Sequence, residues 1–191
     1  MTMSERDPDE VTLTRAEYAR VVQLLERDAI RQVVVRYVRG ADRLDEELER
    51  GAYWPDGYDN HGLFRGNAQD FVTWALGLGG QLAGIQHLLG QSFIEIEGDG
   101  AKCETYFQVC ESSSRDTPTD DLRLLGGRYV DILQKRDDVW KISHRDVVVD
   151  WSASLHDVDR FPGVREFTAG DRAPDDYSYH PISMKRDGKA T

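Results

Sequence analysis

Apolar positions change period about halfway along this chain. From Val21 to Val38, Val21, Val22, Leu24, Leu25, Ile30, Val33, Val34, Tyr37 and Val38 recur at three- and four-residue spacing, the mark of a helix with one buried face. Thr14 and Glu17, in T-R-A-E, form a capping box that starts it. The pattern reads as one long helix, or as two that break near Glu26, with Gly40 as an end signal. Asp45–Arg50 predicts a short second helix. The stretch Tyr53–Asp59 (YWPDGYD) is turn-rich and aromatic and leads into a short hairpin around His61 and Phe64. Ala68–Leu78 predicts a third helix with Phe71, Trp74, Ala75 and Leu78 inward. Strands follow at Gln86–Glu97, Ala101–Glu111, Leu122–Lys135 and Val139–Trp151. Gly98-Asp99-Gly100 joins the first two and Arg136-Asp137-Asp138 the last two, as hairpin links. Helices first and antiparallel strands afterwards give an α+β fold, with the N-terminal helices packed on a curved, mostly antiparallel sheet.

The chain has 191 residues, the length of one domain with a real core. Twenty-four Lys and Arg against 35 Asp and Glu give a formal charge of −11, which argues against a nucleic-acid or anionic-membrane partner. No apolar run reaches the roughly 20 residues of a membrane span. The start, MTMSERDPDE, lacks a basic region and an apolar stretch, so the expectation is a soluble, cytoplasmic protein. Cys103 and Cys110 fall in one strand, on opposite faces and over about 20 Å apart, so they cannot bridge each other. Residues 1–13 read as a frayed terminus, 14–151 as the domain and 152–191 as an extended tail.

Three polar residues stand where they could face one space. Asp42 ends the long helix, where a carboxylate opposes the helix dipole. His87 begins a strand among Ile85, Leu88 and Leu89, and Arg145 lies in the last strand. Strict alternation puts Arg145, Val147, Val149 and Trp151 on one face, and Trp140, Ile142, His144 and Asp146 on the other. The alternative for Arg145, compatible with that facing, is a pair across the sheet with Asp131 or Glu104. Tyr37 sits about 140° round a straight helix from Asp42, so both reach one cavity only if the helix unwinds near Gly40. His61, His144, His156 and His180 read as structural, and Asp56, Asp59, Asp120 and Asp121 as solvated turn residues. No histidine pair has metal-ligand spacing, and no phosphate-binding glycine loop follows a strand, so no metal or cofactor is expected.

The order of elements, the strand G-G-R-Y-V-D (Gly126–Asp131) and the hairpin strand D-D-V-W-K-I-S-H-R resemble the SnoaL-like branch of the nuclear transport factor two-like superfamily, over roughly Arg27–Trp151. Within it the chain resembles the branch of scytalone dehydratase, hexachlorocyclohexane dehydrochlorinase and bile-acid dehydratase. The resemblance implies a cone-shaped α+β barrel and an Asp–His dyad, with Asp42 and His87 at the matching positions. Arg145, five residues after Trp140, matches an arginine of the dehydrochlorinase. Tyr37, five residues before Asp42, matches a tyrosine of the bile-acid enzyme, whose cavity arginine is replaced here by Val149.

The reading is therefore a cofactor-independent lyase or isomerase acting on an apolar, ring-bearing small molecule. His87 takes a proton from carbon, Asp42 orients it, and Arg145 or Tyr37 stabilises the departing group or an enolate-like oxygen. The expected pocket wall is Tyr53, Trp54, Tyr58, Phe64, Tyr106, Gln108, Tyr129, Val147 and Val149. The rival readings are a non-catalytic binding module and an accessory subunit of an oxygenase-like assembly. A homotrimer, or else a dimer, is expected through an outer sheet face carrying Trp140 and Ile142. The tail, with Phe161, Phe167, Tyr177 and Tyr179, is expected either to cover the pocket mouth or to pack on the convex face.

Overall fold

The long first helix, α1 (Arg15–Arg43), has an exposed start and a buried end. A computed structural model describes residues 12–113, 116, 121–158 and 166–180. The chain continues through α2 (Glu46–Gly51), β1 (Tyr53–Asn60), β2 (Arg65–Asn67), α3 (Ala68–Gly79), β3 (Ile85–Glu97), β4 (Gly100–Ser112), β5 (Leu122–Arg136) and β6 (Val139–Leu155). A 3-10 turn covers Tyr177–Tyr179. The reading of residues 1–13 as frayed falls mostly on positions outside those described, and Phe161 of the tail lies outside them too.

The Thr14–Glu17 capping box forms as expected, with the Glu17 N–H donating to Thr14 Oγ1 at 3.2 Å. One helix runs unbroken from there. Gly40 does not end it; Arg43 does, with Leu44 in the left-handed region at φ 53°. The role of Gly40 is steric. A Cβ there would lie 2.6–2.8 Å from the backbone N, Cα and Cβ of Glu49, so glycine is what lets α1 and α2 touch. Burial begins at Ile30 and continues through Val33, Val34, Tyr37 and Val38, whereas Val21, Val22, Leu24 and Leu25 remain exposed. In α3, Phe71 and Val72 are buried and Trp74 and Ala75 partly so. Leu78, expected inward, is exposed.

Six strands form one curved, open sheet in the order β2-β1-β6-β5-β4-β3. Every neighbouring pair is antiparallel except β1 with β6. The Asp137-Asp138 turn has positive φ at both residues (50° and 61°), the primed geometry that suits a two-residue hairpin. Tyr53–Asp59, expected as turn, is instead strand. Its parallel register places Asp59 opposite Arg145.

A bulge overturns the expected strand faces. Leu133 pairs with Ile142 but the preceding Ile132 pairs with His144, so Ser143 is an extra residue in β6. A one-residue slip reverses every later side chain. Trp140 and Ile142, expected on the outer face, therefore share the core with Arg145; their exposures are 4% and 0%. They cannot form an outer contact surface. A second irregularity at Gly126-Gly127 makes Asp150 an extra residue, so Val149 keeps the face of Arg145 and Trp151 takes the opposite one; both are exposed.

Cys103 and Cys110 are free thiols of β4, the first buried and the second half-buried. Residues 171–180 dock on the α1–α2 corner. The Ala173 N–H donates to the Arg43 carbonyl at 2.7 Å, and the Tyr179 hydroxyl donates to Asp45 Oδ2 at 2.7 Å. Arg39 lies over the Tyr179 ring.

Candidate functional site

The end of α1 and the start of β3 bring Asp42 and His87 together. His87 Nδ1 lies 2.6 Å from Asp42 Oδ1. The same carboxylate accepts the His87 backbone N–H at 3.1 and 3.0 Å, one to each oxygen. The ring and the backbone of one residue are thus tied to one acid. The other ring nitrogen, Nε2, has no hydrogen-bond partner among the described residues. A carboxylate that takes the Nδ1 proton fixes the tautomer in which Nε2 carries the lone pair. The docked tail reaches this corner too, since Arg172 donates to the Asp42 carbonyl. Beside it, Arg43, Ile85, Gln86, Cys110 and Arg172 line part of a cleft of about 260 Å³.

Arg145 does not join the dyad. It is fully buried and held by Asp131 in a two-pronged pair, Nε to Oδ1 and Nη2 to Oδ2, both 2.7 Å. Its Nη1 donates to the Tyr53 hydroxyl at 3.3 Å. The guanidinium carbon lies 4.1 Å and 4.2 Å from the ring centres of Tyr37 and Tyr129. Burial works to lower its pKa, but Asp131 together with the Tyr53 and Tyr37 phenols holds Arg145 well above the ordinary arginine value. Of the two pairings left open, that with Asp131 forms; Glu104 pairs with Arg128 instead. Burial also pushes the phenols of Tyr37, Tyr53 and Tyr129 up, so all three stay protonated. Because α1 does not unwind at Gly40, Tyr37 points to the Arg145 cluster while Asp42 points to His87.

The expected wall divides. Tyr53 and Tyr129 are buried around Arg145, Phe64 packs on Phe71 and Trp74, and Val147 is half-buried against the core. Tyr58, Tyr106, Gln108 and Val149 are exposed. Trp54 sits at the edge under Arg136 and Lys141, with its indole N–H on the Gln134 carbonyl. The inward row of β4 is Cys103, Thr105, Phe107 and Val109, one residue out of step with the row containing Tyr106 and Gln108. Phe107 stacks on Tyr129 at 4.3 Å between ring centres and lies 6.5 Å from His87.

Asp59 and Glu49 are among the buried acids that escaped the sequence reading. Asp59, expected in a solvated turn, is fully buried and accepts from the Tyr53 hydroxyl and from His61 Nδ1, each at 2.7 Å. Glu49, on α2, is 1% exposed, and neither carboxyl oxygen has a hydrogen-bond partner among the described residues. Burial pushes its carboxyl up to about 8, against the pull of Arg145 and with help from Asp59. The period of α2 could have suggested its burial. Nothing in the local sequence around Asp59 does, because its burial depends on pairing with β6.

Among the described residues, no group of three or more His, Cys, Asp and Glu could hold a metal ion, and no helix is long and apolar enough to cross a membrane.

No curated protein matches the chain. Solved structures do. Hexachlorocyclohexane dehydrochlorinase LinA-type3 from Novosphingobium barchaimii superposes with a TM-score of 0.64 at 18% identity, over 74% of this chain and 98% of that one. A protein provisionally named a scytalone dehydratase, from Novosphingobium aromaticivorans, gives 0.61 at 18%, over 80% and 95%. The Kfla4162 protein from Kribbella flavida gives 0.62 at 15%, over 69% and 95%. At these identities the likeness is one of fold. Residues 22–146, from the first exposed turns of α1 through the Arg145 strand, match the family described as SnoaL-like domain, and the chain belongs to that family.

Proposed function

We propose that this protein is a cofactor-independent lyase or isomerase that removes a proton from carbon of an apolar, ring-bearing small molecule. His87 Nε2 is the base and Asp42 the group that orients it. The observation that carries this reading is the double hold of Asp42 on His87, through ring Nδ1 and backbone N–H, with Nε2 unpaired among the described residues. An imidazolium formed by proton transfer then sits 2.6 Å from a carboxylate, which stabilises it. Phe107, 6.5 Å from the His87 ring between centres and stacked on Tyr129, makes the surroundings of the imidazole apolar and aromatic, which fits an apolar substrate. Arg145 acts behind these rings rather than on the substrate, since Asp131 and Tyr53 engage it. A purely binding module has no need of a histidine pinned in one tautomer.

The dehydratase and dehydrochlorinase names among the structural neighbours fit the same reaction class. The test is incubation with a β-hydroxy cyclohexanone and its benzo-fused analogue in heavy water. The reading expects deuterium at the carbon next to the carbonyl and growth of enone absorbance. Neither signal above the protein-free rate, for either compound, refutes it.

A further inference from the structure

The acid of the dyad is also held from behind, by the tail. An α-helix leaves its last four carbonyls without donors of its own. At the end of α1 the Gly40 and Ala41 carbonyls accept the Asp45 and Leu44 N–H groups, at 2.9 and 3.5 Å. The next two carbonyls belong to Asp42 and Arg43, and the tail supplies donors to both. Arg172 Nη1 donates to the Asp42 carbonyl across 130 positions of sequence, and the Ala173 N–H donates to the Arg43 carbonyl at 2.7 Å. Arg43 Nη1 adds a longer contact to the Asp42 carbonyl at 3.4 Å. Asp42 is thus fixed at two ends, its carboxylate on His87 and its carbonyl on Arg172.

A braced segment delivers that donor. The buried Asp176 carboxylate accepts the Asp171 N–H at 2.9 Å and the Ser178 N–H at 3.0 Å, which ties the two ends of the turn together. The same carboxylate lies 3.4 Å from Arg43 Nε. Arg39 donates to the Ser178 hydroxyl at 3.1 Å and covers the Tyr179 ring. Tyr179 donates to one oxygen of Asp45, while the other oxygen of Asp45 caps α2 at the Leu48 N–H. The tail therefore grips α1 before and after Asp42, and the start of α2 as well. Its charge has the right sense, since a guanidinium at a helix C-terminus offsets the dipole that the Asp42 carboxylate opposes. The whole segment lies outside residues 22–146, which match the family.

We propose that Arg172 is a positioning residue for the Asp42–His87 pair: its bond to the Asp42 carbonyl holds the end of α1 where the Asp42 carboxylate fixes the His87 ring. For turnover this rests on the function proposed above; for the geometry of the pair it does not. Asp42 makes three contacts to His87, at 2.6, 3.0 and 3.1 Å, and all three run from the last turn of one helix to the start of one strand. A small shift of that turn loosens them together, because hydrogen bonds weaken steeply as their geometry departs from the optimum. Arg172 acts through Asp42 and takes no part in the proton transfer itself.

The test reads the His87 ring directly, by proton–nitrogen NMR of the imidazoles in the full-length protein. His87→Asn identifies the His87 signals. Arg172→Met keeps the apolar stem and removes the donor, whereas Arg172→Lys keeps a donor. The neutral His87 ring of wild type is expected in one tautomer, with Nδ1 protonated. In Arg172→Met its two nitrogen signals are expected to move towards each other, as the tautomers mix, with the thermal midpoint within a few degrees of wild type. Arg172→Lys is expected to keep the wild-type signals. Turnover is read as deuterium uptake next to the carbonyl of a cyclic ketone. A misplacement of this kind costs up to about 100-fold, and the fall in Arg172→Met is expected in kcat with KM little changed. Unchanged His87 signals in folded Arg172→Met overturn the inference. So does a rise in KM with kcat unchanged, or an Arg172→Lys protein as impaired as Arg172→Met. If Arg172→Met does not fold, Arg172→Leu takes its place under the same criteria. If wild type takes up no deuterium, the function proposed above fails, and the His87 signals still decide the role of Arg172.

Discussion

Glu49→Gln isolates a cost that the fold carries at neutral pH. The Glu49 carboxyl is 1% exposed with neither oxygen partnered among the described residues, and its pKa stands at about 8 against an ordinary 4.5. Burial is the main cause; Asp59 adds to it and Arg145 opposes it. The folded protein therefore holds a proton that the unfolded chain releases at lower pH. This contribution is fully present below about pH 4.5 and is lost as pH rises through about 8. At about 1.4 kcal/mol per pH unit, the whole window amounts to roughly 5 kcal/mol, the scale of an entire domain's stability. Glutamine has nearly the same shape and cannot ionise. Guanidinium unfolding of both proteins from pH 5 to pH 9 is the assay. The stability of wild type minus that of Glu49→Gln is expected to fall by several kcal/mol across that range, with Glu49→Gln the more stable at the alkaline end. A difference constant to within about 1 kcal/mol would refute the reasoning, because it would mean that Glu49 ionises as readily in the fold as in the open chain.

Arg145→Leu leaves Asp131 and Asp59, on the strands either side of β6, without the cation between them, and the expected loss is about 3–5 kcal/mol in chemical unfolding; a loss under 1 kcal/mol contradicts the buried-pair account. The assembly is expected to be a homotrimer through the outer sheet face, where Phe93, Tyr106, Val130 and Ile132 are exposed in place of the buried Trp140 and Ile142. Light scattering on wild type and Ile132→Glu checks this, with three chain masses expected for the first and one for the second; one mass for wild type rules it out.

Most of the fold was legible because its signals are local. Thr14 with Glu17 marks the start of α1, Gly98 and the Asp137-Asp138 pair mark turns, and alternation marks β3 to β6. Asp42 at a helix end and His87 at a strand start stood out as polar residues near element boundaries, and it was the resemblance that paired them; their side chains are 2.6 Å apart. What failed depends on register. Ser143 carries no sign of being an extra residue, yet it decides whether Trp140 and Arg145 face the same way. The same parity error exchanged Tyr106 and Gln108 for Phe107 as the inward residues of β4. Asp59 looked like a turn residue because Pro55 and Gly57 precede it. Its burial is set by β6, more than eighty residues later in the chain. His61 was read as structural, since no histidine pair has metal-ligand spacing, and nothing local pairs it with Asp59.

The central claim is that His87 Nε2 removes a proton from carbon. It is tested most directly by NMR of deuterium uptake next to the carbonyl of a cyclic ketone that has no leaving group, in wild type, His87→Asn and Asp42→Asn. The account predicts uptake by wild type and a fall of about 100-fold or more in His87→Asn, with its thermal midpoint within a few degrees of wild type. Asp42→Asn, which removes the negative charge and leaves one acceptor oxygen for the His87 contacts, is predicted to fall as well. Uptake by folded His87→Asn at the wild-type rate would contradict the account.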